Sequence, residues 1–361
     1  MNTKALKYIA PLSMYALAIP AFTKTGIWCW LPLIYAWIVI PGLELVLKPS
    51  EKNMDASEEE LIKKDAVYDW MLYLAVILLF PMLYLFLGHI TKQDLSFFDI
   101  YARVFSMGLL CGTFGINVGH ELGHRIKPGE QWLAKLSLSV SLYAHFFIEH
   151  NKGHHKNVAT PEDPSSARLN EPVYLFYFRT VFGSLASAWH IAAGETKKKN
   201  KPVWSMYNEL LQLFALEILL VILVFVKFGF IAVLYFFLSA MIGALLLETI
   251  NYIEHYGLSR KIQQTGKYER AMPEHSWNSN HIVGRLMLFE LSRHSDHHYL
   301  ASRKYQILRN HEQAPQMPTG YPGMMLLSLV PPLWFYIMHK RLKEYGLMPT
   351  DESDKMVITS V

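Results

Sequence analysis

The sequence predicts an all-α polytopic membrane protein: six transmembrane helices, with a cytoplasmic-side helical cap that holds a histidine-rich metal site. Three observations predict it. Hydrophobic residues make up 52% of the 361, and mean hydropathy is positive, which a soluble chain rarely shows. Six apolar runs, at about 6–22, 27–47, 70–88, 101–119, 209–226 and 229–250, each approach the ~20 residues that cross a bilayer core. Nine of the 16 histidines fall into four short clusters at or beyond the ends of those runs.

The runs come as three tight pairs. The first begins in MNTKALKYIAPLSMYALAIP, which has no small-residue cleavage site and is read as a retained span. The turns within pairs are short and carry only Lys24, Lys92 and Lys227. The long connections carry Lys63, Lys64, Arg125, Lys152, Lys156 and the run KKKNK at 197–201. By the positive-inside rule the long connections and both termini are cytoplasmic. The net charge of +4 is too mild to suggest nucleic acid and is accounted for by this loop bias. The whole chain, 1–361, reads as one integral-membrane domain ending in a polar tail at about 349–361, expected to be disordered.

Two further apolar stretches are not counted as spans. WLAKLSLSVSLYAHFFI, 132–148, lies between two histidine clusters, so one crossing would put them on opposite faces of the membrane. It must be buried or lie in the interface. GMMLLSLVPPLWFYIM, 323–338, is interrupted by Pro331–Pro332 and is treated the same way.

The clusters are GHELGHR (His120, His124), EHNKGHH (His150, His154, His155), NYIEHYG (His255) and RHSDHH (His294, His297, His298). Helical residues at i, i+3 and i+4 share a face. His120 with His124, His150 with His154, and His294 with His297 and His298 are each spaced to converge on a metal, while His155 reaches toward a second one. Nine imidazoles exceed the needs of one ion, so two metals are the simplest count. Glu121, Glu149, Glu254 and Asp296 each adjoin a candidate ligand and are assigned behind the ligands, accepting from the far ring nitrogen. Isolated histidines such as His89, His145, His190, His311 and His339 read as amphipathic interfacial side chains. Only Cys29 and Cys111 are present, with no CxxC, which excludes rubredoxin-type iron, zinc ribbons and thioredoxin chemistry. HELGH alone matches the HExxH zinc-protease pattern, with Glu121 as general base, but that leaves the other clusters unexplained. A metal transporter or sensor would spread its ligands along the membrane depth rather than gather them at one face.

The four clusters resemble the histidine boxes of membrane-bound alkane 1-monooxygenases, in the membrane di-iron superfamily of fatty-acid desaturases and hydroxylases. The likeness covers most of the chain and includes ATPEDPSSAR at 159–168, PEHSWNSNHIVGRL at 273–286 and RKYQILRN followed by PQMPTGYPGMM. NYIEHYG is the box that sets alkane and xylene-type monooxygenases apart from general desaturases. Ser292 stands where the alkane-hydroxylase pattern has Gln, and Tyr299–Leu300–Ala301 where it has Ala-Asn-Pro; no ligand is lost.

The resemblance implies a centre of two non-haem iron ions ligated by the nine histidines. It implies O2 as co-substrate and insertion of oxygen into the terminal C–H bond of a medium-chain n-alkane, with hydrophobic substrate arriving from membrane lipid. Sibling activities are a xylene- or terpene-type methyl monooxygenase or a fatty-acid ω-hydroxylase. The chain has no flavin or nicotinamide fingerprint, so the electron donor is a separate protein: the family suggests rubredoxin, reduced by an NADH-dependent rubredoxin reductase. The setting it implies is a bacterial cytoplasmic (inner) membrane, with the site toward the cytoplasm. A basic patch with Lys197, Lys198, Lys199, Arg303, Lys304 and Arg309 would steer an acidic donor, or else serve only to set topology. Trp28, Trp30, Tyr35 and Trp37 either line a substrate passage that limits chain length or pack as ordinary lipid-facing residues.

Overall fold

The computed structural model describes residues 3–92 and 95–348, and among these there are helices and two isolated bridges but no strand. Six helices are long and apolar enough to cross a membrane: α1 (Lys4–Thr23), α2 (Gly26–Val46), α4 (Val67–Ile90), α5 (Phe97–Gly123), α9 (Glu209–Phe228) and α10 (Phe230–His255). All six expected spans are present. Between α2 and α4 lies the short polar helix α3 (Ala56–Lys64). The tail expected after Pro349 lies outside the described residues.

Glycine lets α5 and α10 approach each other closely. A Cβ on Gly108 would stand 2.5 Å from Ile242 Cγ2, and one on Gly243 would stand 2.6 Å from Cys111 Cβ. Close backbone approach through small residues is how helices pack where lipid supplies no hydrophobic drive. The C-terminal ends of these two helices carry His120 and His255, so their packing sets the separation of two histidine boxes.

The stretch 132–148 is not one continuous helix and is absent from the six candidate spans. It forms α6 (Pro128–Val140), 13 residues long, then turns at 141–145 into a helical segment α7 at 146–157. Ala134, Ser137, Leu138, Ser139 and Val140 of α6 are buried, and Ser137 Oγ donates to the Phe114 carbonyl of α5 at 2.8 Å. Helix α8 (Val173–Lys198) had no clear apolar run to announce it. It buries Phe176, Thr180, Ser184, Ala188, Ala192 and Thr196 at helical spacing and exposes Leu175, Phe178 and Phe182 on the other face. The remaining cap helices are α11 (Ile282–Met287), α12 (His294–Tyr299), α13 (Tyr321–Ser328) and α14 (Pro331–Glu344). The break between the last two falls just before Pro331–Pro332, as the sequence predicts.

Connections tie the cap to the bundle. Arg293 donates to the carbonyls of Leu308 at 2.6 Å and Lys52 at 2.9 Å, joining the last box to the α2–α4 linker. Arg125 pairs with Asp69 of α4 at 3.2 Å, and Lys304 reaches the same carboxylate at 2.7 Å.

Candidate metal centre

The nine clustered histidines converge beneath α5 and α10 and divide into two groups. His120, His124, His150, His155 and His297 form one; His154, His255, His294 and His298 form the other. Within each group the candidate ligand atoms lie within 4.8 Å of one another. The rings face each other through Nε2. In the first group His120–His297 are 2.9 Å apart, His155–His150 3.0 Å, His155–His297 3.1 Å and His150–His124 3.2 Å. In the second, His154–His298 and His294–His255 are each 3.2 Å apart.

Nitrogens bound to one ion at about 2.0–2.1 Å stand about 3 Å from each other, so these spacings suit a shared metal. Ligation requires neutral imidazoles. Burial, followed by the charge of neighbouring rings, holds His124, His150, His155, His294, His297 and His298 well below the ordinary imidazole range. The donor set therefore fits two metal ions that accept imidazole.

The division differs from what i, i+4 spacing suggests. His150 pairs with His155, and His154 turns to the other group. The reason is local. Residues His150–His154 form a π turn in which the His155 amide donates to the His150 carbonyl, so residues five apart stack on one face. Likewise His297 leaves the face shared by His294 and His298 and joins the first group. Another π segment, Cys111–Asn117, precedes His120.

The four acids assigned behind the ligands occupy different places. Glu121 accepts from Arg125 at 2.7 Å and from the Tyr305 amide at 3.1 Å. Asp296 accepts from Arg303 at 2.7 and 2.8 Å and from the Arg309 amide at 2.9 Å, and pairs with His311 Nε2 at 2.6 Å. Glu149 is buried near Ser187, 3.5 Å away, and burial with the neighbouring Asp163 pushes its carboxyl up to about 8. Glu254 stands 3.1 Å from His294 Nε2, the edge that faces the other rings, and Tyr321 donates to its other oxygen at 2.6 Å. It is on the coordinating side of His294 rather than behind it.

Sequence reasoning missed Asp163, which lies 2.8 Å from His154 Nδ1 and also accepts from Ser166 at 2.6 Å. Burial would lower His154, but this carboxylate outweighs it and leaves His154 raised. Asp163 lies within ATPEDPSSAR, nine residues after its partner, beyond the reach of helical periodicity. Two histidines read as interfacial are not: His145 is 6% exposed, and His311 pairs with Asp296.

Arg303, Lys304 and Arg309 are each paired within the chain. Arg303 is held by Asp296, Lys304 by Asp69 and Arg309 by Glu59; their side chains are 12%, 26% and 42% exposed. Lys197, Lys198 and Lys199 are exposed.

An apolar cavity lies between α1, α2, α5, α10, α11 and α13. Its walls include Trp37, Leu109, Thr113, Leu247, Ile250, Met287 and Met325. Asn117, Ile250 and Leu291, which line it, precede His120, His255 and His294 by three, five and three residues, and Asn117 donates its amide to the Leu288 carbonyl at 3.0 Å. Of the four aromatic candidates for the passage only Trp37 lines it. Trp28 is 46% exposed, Trp30 stacks on Tyr101, and Tyr35 turns its hydroxyl to Met287 Sδ at 3.8 Å.

Comparison with known proteins agrees with this geometry. Residues 99–328 match the fatty acid desaturase family. Alkane 1-monooxygenase 1 of Alcanivorax borkumensis is 38% identical over 324 residues, covering 90% of this chain and 80% of the relative. Alkane 1-monooxygenase of Pseudomonas putida is 39% identical over 313 residues, 87% of this chain and 77% of the relative. The xylene/toluene monooxygenase hydroxylase component of Pseudomonas putida is 30% identical over 243 residues, 66% of this chain and 63% of the relative. The chain thus belongs to the fatty acid desaturase family, in the branch that holds the alkane 1-monooxygenases.

Proposed function

We propose that this chain uses O2 to convert medium-chain n-alkanes to 1-alkanols at two non-haem iron ions, one held by each histidine group, with electrons from reduced rubredoxin. The observation that carries the reading is the pair of buried histidine groups, accompanied by an apolar cavity whose lining includes Asn117 and Ile250 of the two helices that carry His120 and His255. When bound, the irons supply O2 activation and an oxidant strong enough for a methyl C–H bond, which offers no handle to acid, base or nucleophile.

The chain's own residues supply position and dryness. Leu109, Leu247 and Met325 accept an alkane by contact alone. With Asn117 turned to a backbone carbonyl, the wall has few polar groups to hold water. Ile250 and Leu291, nearest the boxes, set how the chain end meets the histidines.

The setting is a bacterial cytoplasmic membrane with the histidines toward the cytoplasm, since the basic residues gather in the long connections on that side. Rubredoxin, reduced by its NADH-dependent reductase, would dock on that face near Arg303, Lys304 and Arg309. Arg309 is the cleanest probe. Reversing any of the three breaks an internal pair, to Asp296, Asp69 or Glu59, but Arg309 carries the most exposed of these charges. R309E should raise the rubredoxin concentration needed for half-maximal rate and weaken its salt dependence.

The direct test is octane hydroxylation by detergent-purified protein with rubredoxin, its reductase, NADH and 18O2. Labelled 1-octanol is expected. Product from xylene or a fatty acid but not from octane would move the assignment to a sibling activity. Ile250→Trp should shift preference toward shorter alkanes; an unchanged chain-length profile would take the substrate out of this cavity.

A further inference from the structure

Tyr143 lies in the turn between α6 and α7, 4% exposed. Its hydroxyl donates to Glu248 Oε1 of α10 at 2.8 Å. Glu248 is 1% exposed, and its other oxygen accepts from Thr180 Oγ1 at 2.7 Å and Asn251 Nδ2 at 3.1 Å. All three partners are able to donate, and the amide Nδ2 of Asn251 can only donate, so Glu248 offers its oxygens as acceptors. Neither the proposed hydroxylation nor the metal ligation uses this pair.

The phenol is connected to the metal centre by aromatic rings. Tyr143 stacks against Phe146 at 6.4 Å between centroids, and Phe146 stacks on His150 at 4.6 Å. His150 belongs to the five-histidine group. The hydrogen-bonded set around Glu248 stays inside the protein: Tyr143, Thr180, Asn251 and Glu248 are all buried. It is poorly placed to draw protons from water, but it can take up one that is already there. Burial and the Glu248 charge hold the phenol well above its ordinary range, so it stays protonated at neutral pH and must shed its proton when it loses an electron.

We propose that Tyr143 is a one-electron reservoir for the metal centre, with Glu248 as acceptor of its proton. This rests on the di-iron reading. A centre able to open an alkane C–H bond can also attack its own ligands when the cavity holds no substrate. In the proposed step the oxidised metal centre, after reaction with O2, gains one electron from Tyr143. The phenolic O–H bond breaks, its proton forms an O–H bond on Glu248 Oε1, and a neutral tyrosyl radical remains. An electron from the external donor later restores the phenol, and Glu248 returns the proton.

The test uses iron-loaded protein, reduced anaerobically, mixed with O2 without alkane and freeze-quenched. Iron oxidation is followed by Mössbauer spectroscopy and organic radical by EPR on the same samples. We expect a tyrosyl signal that narrows when the tyrosines are ring-deuterated. It should be lost in Y143F and reduced in E248Q, with iron content kept in both. Y143F should also accumulate oxidised histidine and other aromatic residues faster, measured by peptide mass spectrometry. Iron oxidised by O2 with no tyrosyl signal, or with the same signal in Y143F, overturns the proposal while leaving the di-iron reading intact. Failure of the loaded iron to react with O2 counts against that reading itself. If Y143F fails to retain iron, ring-specific labelling of the wild-type radical and the E248Q yield decide the matter.

Discussion

Asp163 and Glu121 are both buried acids near the histidine boxes, yet their contacts give them different jobs. Asp163 faces His154 Nδ1 at 2.8 Å and fixes that ring with Nε2 toward His298, the side on which a metal would bind. Asp163→Asn should weaken metal affinity about 10–100-fold, measured by chelator competition. Glu121 instead closes an ion pair with Arg125, both side chains under 10% exposed. Glu121→Gln removes one of the two carboxylates that pair with buried Arg125, leaving Asp69 at 3.2 Å, and should cost about 1–3 kcal/mol of stability, while molecules that stay folded keep their metal. Metal loss in E121Q without a fall in thermal stability would reverse the two roles. The zinc-protease alternative fails at the same residue, because Glu121 is committed to Arg125 and the Tyr305 amide rather than facing the histidines. The nine histidines were legible because imidazoles clustered in so apolar a chain need a common reason. Their division was not, because a π turn moves His154 off the face of His150, and the sequence pattern assumed 3.6 residues per turn. Asp163 and His311 escaped because their partners are set by loops.

Among the elements, the pairing of α5 with α10 fixes the site, and small residues make it possible. Gly243→Ala puts a methyl group against Cys111 Cβ and the Gly112 amide, and should cost about 1–3 kcal/mol by overpacking, read from denaturant unfolding in detergent. Gly194 of α8 has nothing within 4 Å of an added Cβ. Gly194→Ala should therefore be neutral or stabilise by about 0.4–1 kcal/mol, through the unfolded chain. Equal effects at the two sites would mean that close helix approach is not what Gly243 provides. The six spans could be read because length and hydropathy alone define them. Helix α8 could not, because its buried face carries Thr180, Ser184 and Thr196 while Phe178 and Phe182 point outward, which blurs the apolar stripe.

At the scale of the molecule, His120 and His255 sit at the C-terminal ends of α5 and α10, and the other seven clustered histidines come to them from the connecting and C-terminal segments. The cavity is lined in part by Asn117 and Ile250, so an apolar space and the candidate ligands His120 and His255 share the same two helices. The clustered spacing predicted one gathering point from segments as far apart as His120 and His298, and the structure adds that there are two groups, of five and of four. The account rests on that count. Its most direct test is the metal content of the purified protein by inductively coupled plasma mass spectrometry, compared between wild type and His298→Ala. Two irons per chain, falling to one when the four-histidine group loses a ligand, is the predicted result. A single zinc per chain in the wild type, unchanged by the substitution, would contradict it.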